Sequence, residues 1–153
     1  SQIDQIREYL LPIKFSTVTA DIKKNIITKK KAIEHLNSNG ILITFPSGEV
    51  ATSSLIFNEA NEREWKPLIG SIINKTKADI VPVRFFGKNS LFFHTIGFIN
   101  NNLRRVLFIR ELFNKKNKKF NLSIGKRITL PQKEKLSNRQ IVEKLRSIVL
   151  NIN

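Results

Sequence analysis

Cysteine is absent from these 153 residues, and so is methionine. The first absence excludes a disulfide framework and a zinc-finger site, and it leaves the redox compartment unread. Long apolar runs are missing too: none approaches the roughly 18 residues that a membrane-spanning helix requires. Acidic residues are scarce, 12 against 27 Lys and Arg, which leaves a net charge of +15. A field of that sign attracts polyanions, whether nucleic acid, an anionic membrane surface or an acidic protein. Histidine occurs only as His35 and His94. No Ser/His/Asp arrangement, Gly-rich phosphate loop or metal-ligand spacing accompanies either one.

What is present suits a folded domain: 41% of the residues are apolar and 25% charged. The length fits one domain, 1–153, with enough chain to bury a core. No internal repeat or Ser/Gly linker divides it. A methionine-free chain opening at Ser1 leads us to expect a processed product or a piece of something longer.

Local patterning alternates helix and strand. After a short helical opening, residues 10–15 read as extended, with Pro12 making them an edge or a strand start. Ile22, Ile26, Ile33 and Leu36 recur at helical spacing, with a break allowed near Thr28 and a stop at Asn39-Gly40. Residues 41–45 form an apolar run of the buried-strand type, ended by Phe45-Pro46-Ser47-Gly48-Glu49. A second helix places Trp65, Leu68, Ile69, Ile72 and Ile73 on one face despite Pro67. Residues 80–85 are another apolar strand, broken by Gly87 before Lys88, Asn89 and Ser90. A further strand is expected at 120–124. Ser137 and Gln140 have capping-box spacing ahead of Ile141, Leu145, Ile148 and Ile152. Strands of this kind separated by helices predict an α/β domain with a largely parallel sheet flanked by helices.

A parallel sheet has a functional consequence. A right-handed crossover would end the strands at 42–45 and 80–85 on the same side, so Glu49 and Asn89 would share one crevice. Arg84 or Lys88 would then face an anionic headgroup or phosphate there. His35, late in its helix, is accounted for by the helix dipole, and His94 sits in an aromatic patch. The basic residues gather in two runs, Lys23, Lys24 and Lys29–Lys31, and a denser one from Arg104 to Lys119. That second run holds seven basic residues and one acid, Glu111, interleaved with Phe108, Phe113 and Phe120. It suits an interfacial membrane contact or base stacking.

Taken in order, these segments resemble the phospholipid/glycerol acyltransferase family in its bacterial hemolysin-like and ornithine-lipid branch. The likeness is carried by Phe45-Pro46-Ser47-Gly48, Glu49, Trp65-Lys66, "IVPVRFFGKNS" at 80–90, the Arg104-Arg105 stretch and "FNLSIGKRI" at 120–128. It spans residues 10–128. The resemblance implies transfer of a fatty acyl group from acyl carrier protein or acyl-CoA to a lysolipid or amino-acid-derived lipid. It implies no other cofactor and no metal. It also implies a substrate-binding set of Phe45, Pro46, Ser47, Gly48, Glu49, Arg84, Lys88, Asn89 and Ser90. Arg104, Arg105, Lys115, Lys116, Lys118 and Lys119 would meet the membrane or the acyl carrier. A cytoplasmic place, peripheral at the inner face of the membrane, follows from the same resemblance.

One departure is central. The family's Asn-His-x4-Asp motif, whose histidine activates the acceptor hydroxyl, has no counterpart at His35 or His94. We therefore assign no catalytic residue, and expect this chain to be the later portion of a larger domain and inactive alone. The alternative is a basic nucleic-acid-binding module using residues 104–119, although no nucleic-acid motif is present.

Overall fold

A computed structural model describes residues 5–14, 18–48, 62, 64–87, 89–90, 92–93, 96, 101–130 and 136–152; the side chains of 101–106 lie outside that description. Its elements in chain order are a 3-10 turn at Arg7–Tyr9, then α1 (Thr19–Asn37), α2 (Leu68–Thr76) and β1 (Val83–Phe86). They are followed by α3 (Asn101–Asn114), β2 (Asn121–Ile124) and α4 (Asn138–Leu150).

This corrects the expected parallel sheet. The described sheet has two strands, and they are antiparallel, pairing Val83 with Ile124, Arg84 with Ser123, Phe85 with Leu122 and Phe86 with Asn121. A bridge between Ile80 and Ile128 continues the pairing in the same sense. Residues 41–45 form no strand. An extended run becomes a strand only when a neighbour completes its backbone ladder. None does so among the described residues, and Ile41, Ile43 and Phe45 stand 84%, 81% and 72% exposed. The parallel crossover from 41–45 to 80–85, and the strand-end crevice built on it, are therefore absent from the described fold.

The core forms instead where α2 crosses α4. Trp65, Ile73, Ile141, Val142 and Leu145 are buried together, with Ile69, Ile80, Ile128, Leu130, Leu136 and Val149 packed around them. Gly70 permits the close crossing: a Cβ there would lie 2.1 Å from the Asn138 carbonyl oxygen. The side-chain amide of Asn74 donates to Asn138 Oδ1 at 2.8 Å and to the Leu136 carbonyl at 3.3 Å, so polar bonds fix the same junction.

Helix ends follow their sequence signals in part. At α4 the capping box is complete: Gln140 N–H donates to Ser137 Oγ, and Ser137 N–H donates to Gln140 Oε1. The first helix runs unbroken through Thr28, whose hydroxyl donates to the Pro12 carbonyl at 3.2 Å. The second begins at Leu68, so Trp65 lies in the segment just before it and Pro67 occupies the N-cap position. No helix among the described residues is long and apolar enough to cross a membrane.

Candidate functional site

The residues singled out from sequence fall in three places. The first is the turn after residues 41–45. Gly48 N–H donates to the Phe45 carbonyl at 3.0 Å, and Gly48 takes a left-handed φ of 67°. Glycine adopts that conformation at no steric cost. Ser47 is buried, and the Pro46 carbonyl accepts from Lys66 N–H at 3.0 Å. The Phe-Pro turn is thereby fastened to the Trp65-Lys66 pair. Glu49, Lys88 and His94 lie outside the described residues.

The second place is the end of α4. Arg84 points its Nη1 at two carbonyls there, Leu150 at 2.5 Å and Ile152 at 2.9 Å, with its guanidinium 4.9 Å from the Phe86 ring. A cation at a helix C-terminus offsets the partial negative charge of the free carbonyls. Near the end of α1, the His35 Nε2–H donates to the Ile41 carbonyl, beyond the helix, at 3.1 Å.

The third place joins the 87–90 turn to α3. Ser90 N–H donates to Glu111 Oε2 at 3.0 Å, and the Ser90 hydroxyl donates to Glu111 Oε1. Phe93 N–H donates in turn to Ser90 Oγ at 3.2 Å, and Lys115 Nζ donates to Asn89 Oδ1. Beneath them Phe93 is fully buried, its ring tilted against Phe108 at a centroid distance of 5.3 Å. Glu111 is 4% exposed. Burial pushes its pKa up, but the two Ser90 hydrogen bonds and the Lys115 and Arg110 charges outweigh that and hold it below the usual carboxylate value.

That arrangement inverts the usual helix polarity. With its acid turned inward, α3 exposes Ile109 at 65%, Leu112 at 72% and Phe113 at 69%. Ile109 and Phe113 are four residues apart and so share one face, opposite Glu111. Just beyond lie exposed Lys116, Lys118, Lys119 and Phe120. Arg110 stacks on Phe92 at 4.3 Å. Of the basic residues expected to meet a membrane, Lys115 is tied to Asn89, Lys116, Lys118 and Lys119 are outward, and the side chains of Arg104 and Arg105 lie outside the described set.

Sequence reasoning overlooked a cleft of about 600 Å³ between Glu64–Pro67 and one stripe of α4, Arg139, Val142, Glu143, Arg146, Ser147 and Leu150. At one end Arg139 donates to Glu64 at 2.5 Å and to Glu143 at 2.9 Å. The Glu143 hydrogen bond, then the Glu64 charge, raise its pKa above the ordinary arginine value. A signal for the cleft was present, since Arg146 falls four residues from both Val142 and Leu150 and so belongs to a partly apolar stripe. Glu111 also carried a signal, as the one acid among seven cations. Among the described residues no cluster of three or more potential metal ligands occurs.

Comparison with family models, curated proteins and solved structures finds no match to this chain.

Proposed function

We propose that this chain is the acceptor-side portion of an acyltransferase-type lipid-modifying protein, acting peripherally at an anionic membrane from its cytoplasmic face. The observation that carries the membrane contact is the outward strip of α3. A helix that buries a glutamate and exposes Ile109, Leu112 and Phe113 has an apolar face with no described protein element against it. Lys116, Lys118 and Lys119 adjoin that face, and the chain bears +15 overall, so the occupant that suits both features is an apolar layer beneath anionic headgroups. Apolar side chains would enter the headgroup boundary, and each nearby lysine would add on the order of 1 kcal/mol.

The acyl chemistry rests on the resemblance at residues 45–49, 65–66, 80–90 and 120–128. On that reading the donor is acyl carrier protein or acyl-CoA, the acceptor is a lysolipid or amino-acid-derived lipid, and the catalytic His/Asp pair is supplied from elsewhere. The Phe-Pro turn and its bond to Lys66 then form part of the acceptor side.

Vesicle sedimentation tests the membrane contact. The chain is expected to bind phosphatidylglycerol vesicles, to ignore pure phosphatidylcholine, and to lose binding when Leu112→Ser and Phe113→Ser are combined. Both side chains are mostly exposed, so the double variant should keep its circular dichroism. Equal binding by the double variant, or tighter binding to DNA at the same salt, overturns this reading.

A further inference from the structure

Two residues of the cleft on α4 carry buried hydrogen-bond donors with no acceptor among the described residues. Trp65 Nε1 and Arg146 Nε are shielded from solvent and without a partner among the described residues, and both residues line the cleft. A buried N–H without a partner costs about 1–3 kcal/mol, more where the group is charged. Neither side chain can relieve that cost itself: indole nitrogen only donates, and guanidinium neither accepts nor loses its proton in a protein.

The charges in the cleft sharpen the requirement. Arg139 is satisfied by Glu64 and Glu143. Arg146 has no carboxylate among the described residues, only the neutral Glu62 carbonyl, which accepts from Nη2 at 2.8 Å. A water molecule would satisfy an N–H but would leave the guanidinium charge uncompensated. A group that answers both needs must be an acceptor and an anion.

We infer that this cleft is a binding site for an oxyanion, a carboxylate or phosphate group whose entry turns the shielded Arg146 Nε–H and Trp65 Nε1–H toward it. Its walls suit such a group on a small organic body, since Trp65, Pro67, Val142 and Leu150 supply apolar surface and Ser147 and Asn151 supply polar edges. Guanidinium binds both anions through directed N–H bonds, and the indole N–H adds a second direction. The site is distinct from the lipid-facing strip of α3 and does not depend on it.

The chain provides its own reporter, because Trp65 is the only tryptophan. Inorganic phosphate and acetate are titrated separately at constant ionic strength, with chloride as the balancing anion, while tryptophan emission is followed. A saturable change with either probe is expected, and the probe that saturates names the group. Arg146→Gln should weaken that binding about tenfold or more, as loss of a charged hydrogen bond predicts, and Arg146→Lys should restore part of it. Trp65→Phe, read by calorimetry, should weaken it by a smaller factor. A response no different from chloride overturns the proposal, even if every variant fails to fold. Saturation that survives Arg146→Gln overturns it equally.

Discussion

Ser90 grips Glu111 through both carboxylate oxygens, the amide on Oε2 at 3.0 Å and the hydroxyl on Oε1. This pair fastens the turn after β1 to the inner face of α3. It also fixes which face of α3 is turned outward.

The pair predicts a pH dependence. The folded-state pKa of Glu111 lies below its ordinary value, so its contribution is full above the unfolded pKa. It is lost as pH falls through the window between the ordinary glutamate value and the lower folded one. Ser90→Ala should cost about 1.5–3 kcal/mol at neutral pH, the range for a hydrogen bond to a charged group. It should also shrink the acid-dependent part of the stability. Urea titrations at neutral and acidic pH measure both effects, and an unchanged pH slope in Ser90→Ala would refute the assignment.

Gly70→Ala should destabilise the fold although alanine is the better helix former. At an exposed helix position the exchange gains about 1 kcal/mol. Here the new methyl would lie 2.1 Å from the Asn138 carbonyl, so α2 and α4 must separate. Overpacking of this kind costs about 1–3 kcal/mol, which outweighs the propensity gain. Thermal melts should show a lower midpoint; a higher one would mean the helices do not cross at Gly70.

These two sites show what local pattern can reveal. Helix α4 was legible because both its cap, Ser137 with Gln140, and its apolar spacing lie within one short segment. The break allowed near Thr28 does not occur, and the threonine inside the helix spends its hydroxyl on the Pro12 carbonyl. The sheet failed for a deeper reason: apolar runs at 41–45 and 80–85 mark strand-like chain but do not say which segment completes the ladder. Val83–Phe86 found Asn121–Ile124 in the antiparallel sense, and residues 41–45 found no strand partner among the described residues. Site residues followed the same division. Ser90 was readable as a polar residue following the break at Gly87, whereas its bond to Glu111 spans 21 positions and leaves no periodic trace.

The two lysine clusters should separate in vesicle binding. Lys29 donates to Ser71 and Lys30 lies 3.7 Å from Glu34, so the earlier cluster is partly occupied within the fold and has no exposed phenylalanines interleaved with it. Lys116, Lys118 and Lys119 adjoin exposed Phe113 and Phe120. Changing these three to Gln should weaken binding to phosphatidylglycerol vesicles much more than changing Lys29, Lys30 and Lys31. Salt should weaken the wild type too, since exposed charges are screened over about 8 Å at physiological ionic strength. Equal losses from the two clusters would remove the special standing of the later one.

Arg84 offers the sharpest separation between a binding role and a structural one. Its Nη1 reaches the Leu150 and Ile152 carbonyls at 2.5 and 2.9 Å, and its plane lies near Phe86. Those bonds tie β1 to the end of α4 and satisfy carbonyls that the helix cannot satisfy itself. Arg84→Gln should therefore lower stability by about 1–3 kcal/mol, the range for charged hydrogen bonds whose acceptors lose their donor. Arg84→Lys should recover only part, because an ammonium keeps the charge but lacks the planar fork. Vesicle binding, measured where both variants remain folded, should stay at the wild-type level. The opposite pattern, unchanged stability with weakened binding to anionic vesicles, would make Arg84 a headgroup contact and its helix-end bonds incidental.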